Sequence, residues 1–251
     1  MYPIIFNYKF ITIGSYGLML GITFYCCFLF VEKEFIRIGL NSEFAYKIML
    51  TVIPSAIIGA KLFHILENLT DFFKNPIGMI FSGAGLTVYG GVVFTILMLL
   101  IVIKKNKQDI LYILDILTPI LAFGYGLGRF SCHLAGDGCF GIKTDSFLGV
   151  SYPNGIVPST DMVFPTPLFE SFVSLLICVF LLYYRKREFQ QGMIFFTYLI
   201  LNGISRFLVE FVRVNPKGML GLSSAQFVGI MFILTGIMGI VLVQKKKRFS
   251  L

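Results

Sequence analysis

Arg206, Glu210 and Arg213 stand in and just beyond the apolar run 193–212, at spacings of four and three. Residues so spaced share one helical face, so Arg206 and Glu210 can pair, with the charge of Arg213 left over. A charged side chain at bilayer depth costs about 3 kcal/mol on insertion scales and is retained where it faces a partner, a cavity or a ligand. A face with surplus positive charge suits an anion, and the planar guanidinium fork matches phosphate. A further arginine, Arg129, sits in Gly124-Tyr125-Gly126-Leu127-Gly128-Arg129-Phe130. Glycines at alternate positions there let backbone or ligand approach closely. The alternative is a snorkelling arginine whose glycines serve helix packing.

Other polar groups are scattered through apolar surroundings. Lys61 and His64 fall on one helical face, and Glu170 lies near the start of a later apolar run. A histidine in such a place is either a packing or interface residue or a proton carrier. Tyr16-Gly17 and Tyr89-Gly90-Gly91 pair an aromatic with small residues, which equally describes helix packing. Gln226, in the last apolar run, needs a hydrogen-bond partner. Cys132 and Cys139 flank a polar loop and could form a disulfide in an oxidising space or remain two free thiols. No cluster has metal-ligand spacing, and no cofactor is expected.

The elements that must position these groups follow from composition. The 251 residues are 57% hydrophobic and 14% charged, with a mean hydropathy of +0.84. Soluble domains carry about a quarter charged residues. Apolar runs at 10–31, 45–66, 86–103, 111–130, 167–184, 193–212 and 224–243 each approach the roughly 20 residues a spanning helix needs. The expected fold is therefore all-α: a polytopic membrane helix bundle of about seven transmembrane helices, forming a single integral membrane domain over residues 1–251. Two polar segments, 67–85 and 131–166, are too long for simple turns, and the second is expected to form a small extracytoplasmic head. The first run lacks a basic leader and a small-residue cleavage site, so no cleavable signal is expected.

The formal charge of +8 does not point to nucleic acid. Basic blocks at Lys104-Lys105, Arg185-Lys186-Arg187 and Lys245-Lys246-Lys247-Arg248 each follow an apolar run, the pattern of short cytoplasmic loops. With the C-terminus in the cytoplasm and seven spans, the N-terminus lies outside. Lys33, Arg37 and Lys47 then also fall inside, leaving Lys9, Lys74, Lys143 and Lys217 in outer segments.

The ordered motifs resemble one family. They are Ser15-Tyr16-Gly17-Leu18, Gly59-Ala60-Lys61, Tyr89-Gly90-Gly91, Gly128-Arg129 and Ala135-Gly136-Asp137-Gly138. Next come Phe164-Pro165-Thr166-Pro167-Leu168-Phe169-Glu170, Arg206-Phe207-xx-Glu210-Phe211-xx-Arg213 and Gly221-Leu222-Ser223-Ser224-Ala225-Gln226. The series is similar to the bacterial prolipoprotein diacylglyceryl transferases. That resemblance implies a seven-helix enzyme of the cytoplasmic (inner) membrane that moves the diacylglyceryl group of phosphatidylglycerol to a lipobox cysteine thiol. Glycerol phosphate is released. The implied partners are phosphatidylglycerol, prolipoprotein signal peptides and membrane lipid. The family's essential arginines fall on Arg129 and Arg206, its first-helix tyrosine on Tyr16 and its acidic residue after the Gly-Arg signature on Asp137. Lys61, Gly90, Gly91, Glu170, Glu210 and Gln226 are implied to line the substrate.

The departures concern the general base. Tyr89 replaces the histidine common before the Gly-Gly pair, Cys132 replaces an asparagine, Phe164 replaces the histidine of a His-Pro-Thr motif, and Lys61 stands where arginine is common. Tyr89 and His133 are the candidates to take the thiol proton, His133 being placed by the sequence in a loop. Two other readings stay open: a divergent relative transferring another lipid-derived group or using another acceptor, and a non-enzymatic anion or lipid transporter.

Overall fold

The computed structural model describes residues 3–8, 11–81, 87–187, 190–215, 218 and 221–249. Lys9, Lys217 and the predicted start of the third span at residue 86 lie outside these. A hairpin of β1 (Ile4–Tyr8) and β2 (Ile11–Gly14) leads into α1 (Ser15–Arg37) and α2 (Ser42–Glu67). Two short helices, α3 (Leu69–Lys74) and α4 (Pro76–Phe81), occupy the first long polar segment and precede α5 (Val88–Lys105) and α6 (Ile110–Ala135). A second hairpin, β3 (Val150–Tyr152) and β4 (Ser159–Val163), is followed by α7 (Thr166–Tyr184), α8 (Met193–Val209), a 3-10 turn at Glu210–Val212, and α9 (Ser224–Phe249).

Six of the predicted spans are helices long and apolar enough to cross a membrane: α1, α2, α6, α7, α8 with its 3-10 extension, and α9. The remaining one is α5, at 18 residues. A helix of that length covers about 27 Å, just under the roughly 30 Å hydrocarbon thickness.

The fold is the expected helical membrane bundle, to which each hairpin adds a small two-stranded antiparallel sheet. Two boundaries differ from expectation. Residues 11–14 are strand, so α1 begins at Ser15 and not at residue 10. Apolar content does not separate a short β-branched strand from the first turn of a helix. At the other boundary, α6 continues to Ala135, so residues 131–135 belong to the helix and not to the head.

The chain falls into two compact units, residues 31–113 and residues 1–30 with 114–251. In the first, α2 and α5 touch backbone to backbone. A Cβ on Gly59 would lie 2.7 Å from the Gly90 carbonyl oxygen, and one on Gly91 would lie 2.8 Å from that of Ala56. Small residues allow such approach where lipid gives helices no hydrophobic reason to associate. At one end of this unit the Phe35 and Phe44 rings stack at 5.2 Å.

In the second unit, Ala122, Ile177, Cys178, Leu181, Ile194 and Tyr198 pack into one cluster drawn from α6, α7 and α8. Ser174 on α7 donates to the Ala122 carbonyl at 2.7 Å, fixing α7 against α6. Helices α8 and α9 meet at Gly203 and Gly229, where a Cβ on Gly203 would lie 2.6 Å from the Gly229 carbonyl oxygen. The start of α8 is held by Asp115 of α6, which accepts from the backbone N–H groups of Gly192 at 2.6 Å and Phe195 at 2.8 Å. A helix N-terminus leaves its first N–H groups unpaired, and a buried carboxylate satisfies them from outside. Asp115→Ala is expected to lower stability in detergent by about 1–3 kcal/mol, the cost of stranding buried donors. Thermal unfolding of the purified protein checks it, with Asp115→Asn falling between.

The segment 136–165 is tied to the helix ends around it. Gly141 N–H donates to the Phe164 carbonyl and Ile142 N–H to that of Val212, both at 2.8 Å. Gly141 also forms an isolated antiparallel bridge with Arg213. A Cβ at Gly141 would lie 2.3 Å from the Val212 carbonyl oxygen, so only glycine permits this contact. The segment thereby joins the start of α7 to the end of α8.

Candidate active site

The tied helix ends bring five charged side chains together. Glu170, on the second turn of α7, is buried at 2% exposure and sits among three arginines. Its Oε1 lies 2.5 Å from Arg206 Nη1. Its Oε2 lies 3.2 Å from Arg129 Nε and 3.6 Å from Arg213 Nη1. Glu210, also buried, lies 3.4 Å from Arg206 Nη2 and 3.9 Å from Arg213 Nε. Asn215 Nδ2 donates to its other oxygen. Tyr125 completes the base of the site: its hydroxyl donates to Glu170 Oε1 and accepts from Arg129 Nε, both at 3.1 Å.

Three guanidinium groups against two carboxylates leave one positive charge over. The carboxylates are 1–2% exposed, while the arginines are 10–19% exposed. The anions thus lie beneath and the cations above them, partly open. Arg213 Nε and Nη1 and the Oε2 atoms of Glu170 and Glu210 are buried without hydrogen-bond partners among the described residues. Buried polar atoms are almost always satisfied, and unpaired donors beside a surplus of positive charge are suited to an anionic ligand.

The helix-internal pairing expected for Arg206 and Glu210 exists but is the longer contact, at 3.4 Å against 2.5 Å to Glu170. Arg213 is correspondingly not left over, because Glu170 of α7 reaches it. The helix tightens to a 3-10 turn at Glu210 and becomes extended at Arg213, so the three residues no longer keep α-helical spacing. That extended backbone is what pairs with Gly141.

The sequence model of the prolipoprotein diacylglyceryl transferases matches residues 3–242. The chain belongs to this family. It is 30% identical over 239 residues to the phosphatidylglycerol–prolipoprotein diacylglyceryl transferase of Clostridium tetani, covering 94% of this chain and 96% of that one. It is 32% identical over 230 residues to the second such transferase of Clostridium perfringens, covering 90% and 89%. It is also 32% identical over 241 residues to that of Leptospira interrogans, covering 86% and 76%.

Within this transferase-family chain, the residues expected at the site divide into three groups. Arg129, Arg206, Glu170 and Glu210 converge as described. Tyr16, at the start of α1 and 40% exposed, lies within electrostatic range of Arg129, Asp137, Cys132 and Cys139. Among the described residues Asp137 forms no ion pair with the arginines; its Oδ1 accepts from Cys139 N–H at 3.1 Å. Arg129 Nη1 points toward Cys139 Sγ at 3.9 Å. The neighbouring Cys132 holds the Cys139 thiol below the usual thiol range. Both cysteines are free thiols.

His133 is corrected: it lies on α6 and not in a loop, one turn beyond Arg129, and is buried. Its Nδ1 is 2.9 Å from the Tyr152 hydroxyl. Burial, with a smaller push from Asp137, raises Tyr152 to about 12, so it stays a neutral hydroxyl. Gln226 has the hydrogen-bond partner expected for it. Its Oε1 accepts from Ser223 N–H at 3.0 Å while Ser223 Oγ accepts from Gln226 N–H at 3.2 Å. This is a capping box at the start of α9, which occupies the Gln226 acceptor with helix initiation.

Lys61, Tyr89, Gly90 and Gly91 belong to the other unit. There Gly90 and Gly91 are buried in the α2–α5 contact, which gives them a packing role, and Tyr89 is 57% exposed. Tyr125 was not singled out from the sequence. The signal was present, since it stands four residues before Arg129 and so shares its helix face.

Proposed function

We propose that this protein transfers the diacylglyceryl group of phosphatidylglycerol to the lipobox cysteine thiol of prolipoproteins, releasing glycerol phosphate. The observation that carries this reading is the net-positive triad of Arg129, Arg206 and Arg213 over two buried carboxylates. Guanidinium groups held in place before the reaction stabilise charge that develops on a leaving phosphate oxygen, with no reorganisation at the moment of transfer. Fully buried Glu170 and Glu210 hold the arginines without neutralising them.

In the reaction the thiolate of the acceptor cysteine attacks the glycerol carbon that bears the phosphate. The carbon–sulfur bond forms as the carbon–oxygen bond to phosphate breaks, and the leaving electron pair ends on glycerol phosphate. A positive site favours the thiolate, the nucleophilic form. Family membership and the chemistry named for the relatives support the two substrates. Of the two residues the sequence offers to accept the thiol proton, His133 lies in the unit that holds the arginines and takes that role in this proposal.

We place the enzyme in the bacterial cytoplasmic membrane with its N-terminus outside, a reading supported by the basic residues that follow the apolar runs. The test of function is transfer to a lipobox peptide from phosphatidylglycerol in mixed micelles, with detection of the thioether product. Arg206→Ala is expected to lower transfer at least about a hundredfold. Arg206→Ala activity near normal removes the second arginine from the clamp, and failure of the unaltered protein to form the thioether removes the function.

A further inference from the structure

Beside the arginine cluster lies a group to which the transfer steps described above assign no role. Cys132 Sγ, a carboxylate oxygen of Asp137 and Cys139 Sγ all lie within 4.8 Å of one another. We propose that these three side chains bind a soft divalent cation of the zinc type, with the fourth coordination position open.

The donor set is that of a zinc site with three protein ligands and one exchangeable position. At a zinc–sulfur distance of about 2.3 Å, two tetrahedral sulfurs stand roughly 3.8 Å apart. The side chains therefore need to close by no more than about 1 Å. Each donor is anchored by its backbone. Cys132 is buried on the last turns of α6. Gly136, at a φ of 61°, reverses the chain just after the helix and returns Asp137 and Cys139 toward it. Thr166 Oγ1 donates to the Cys139 carbonyl at 2.6 Å, holding that residue to the start of α7.

Charge favours the same occupant. Binding displaces the two thiol protons, so a divalent ion exchanges for two positive charges and leaves the local charge unchanged. Arg129, whose Nη1 faces Cys139 Sγ at 3.9 Å, then faces an anionic sulfur. A disulfide is the competing fate of the two thiols, but it uses two of the three converging groups and gives the Asp137 carboxylate no role.

The test is titration of the full-length protein, purified in detergent under reducing conditions, with Cd²⁺ and Co²⁺. One equivalent is expected to produce a thiolate-to-metal charge-transfer band and to release two protons. Cys132→Ser and Cys139→Ser are each expected to weaken binding at least about tenfold, as Asp137→Ala also is. X-ray absorption on the zinc-loaded unaltered protein, expected to show two sulfur scatterers, removes dependence on how the variants fold. No saturable band at one equivalent overturns the site, as does a band that survives both cysteine substitutions. An intact mass lower by two hydrogens with no reactive thiol at these positions also overturns it.

Discussion

Arg129→Ala is expected to abolish diacylglyceryl transfer while leaving the protein folded and inserted. The loss of one preorganised donor to a developing oxyanion costs about 10²–10³ in rate. Arg129 also bridges the cluster to Cys139 and Tyr125, so the larger end of that range is expected. Folding survives for an electrostatic reason. With Arg129 gone, Arg206 and Arg213 still face Glu170 and Glu210, two charges against two. Arg129→Lys restores the charge but not the planar group whose Nε meets Tyr125 and Glu170 while Nη1 faces Cys139, and is expected to recover only a fraction of the activity. Rates are read by thioether formation on a lipobox peptide, with expression and thermal unfolding measured in parallel. Near-normal transfer by Arg129→Ala removes the phosphate clamp from the mechanism.

Glu170→Ala is expected to act oppositely, on stability first. Glu170 is 2% exposed and in ion-pair contact with all three arginines. Its removal leaves three guanidinium groups around Glu210 alone. Breaking a buried charge pair by removing one partner costs about 3–5 kcal/mol, because the remaining charge is stranded away from water. The measurement is unfolding in detergent by heat or denaturant. A second substitution separates charge from packing: Glu170→Ala with Arg213→Met removes one positive charge as well, and is expected to recover part of the loss. Stability of Glu170→Ala within about 0.5 kcal/mol of the unaltered protein, the range of an ordinary surface substitution, shows that Glu170 is not the counter-ion of the cluster.

The contrast between the two variants shows where the charges had to be seen in space. By spacing alone, Arg206 and Glu210 form a neutral pair and Arg213 stands apart. The closer partner of Arg206 comes from 36 residues away, on α7. No local pattern carries that contact, because it depends on α7 packing on α6 through Ser174 and on the 136–165 segment drawing the ends of α7 and α8 together.

The membrane class, the near-boundaries of the helices and the family were all legible in the linear chain. Apolar runs of spanning length admit few other structures, since backbone polar groups in lipid must be paired within the segment itself. Ordered motifs likewise survive without knowledge of contacts. Tertiary structure alone decided which polar groups converge and which hold the fold. Gln226 became a helix cap, Gly90 and Gly91 became packing surfaces, His133 joined a helix, and Glu170 emerged as the centre of the charge cluster. The reason is range: capping and amphipathicity act over three or four residues, whereas the balance of buried charge is set by whichever side chains the folded helices bring within about 4 Å.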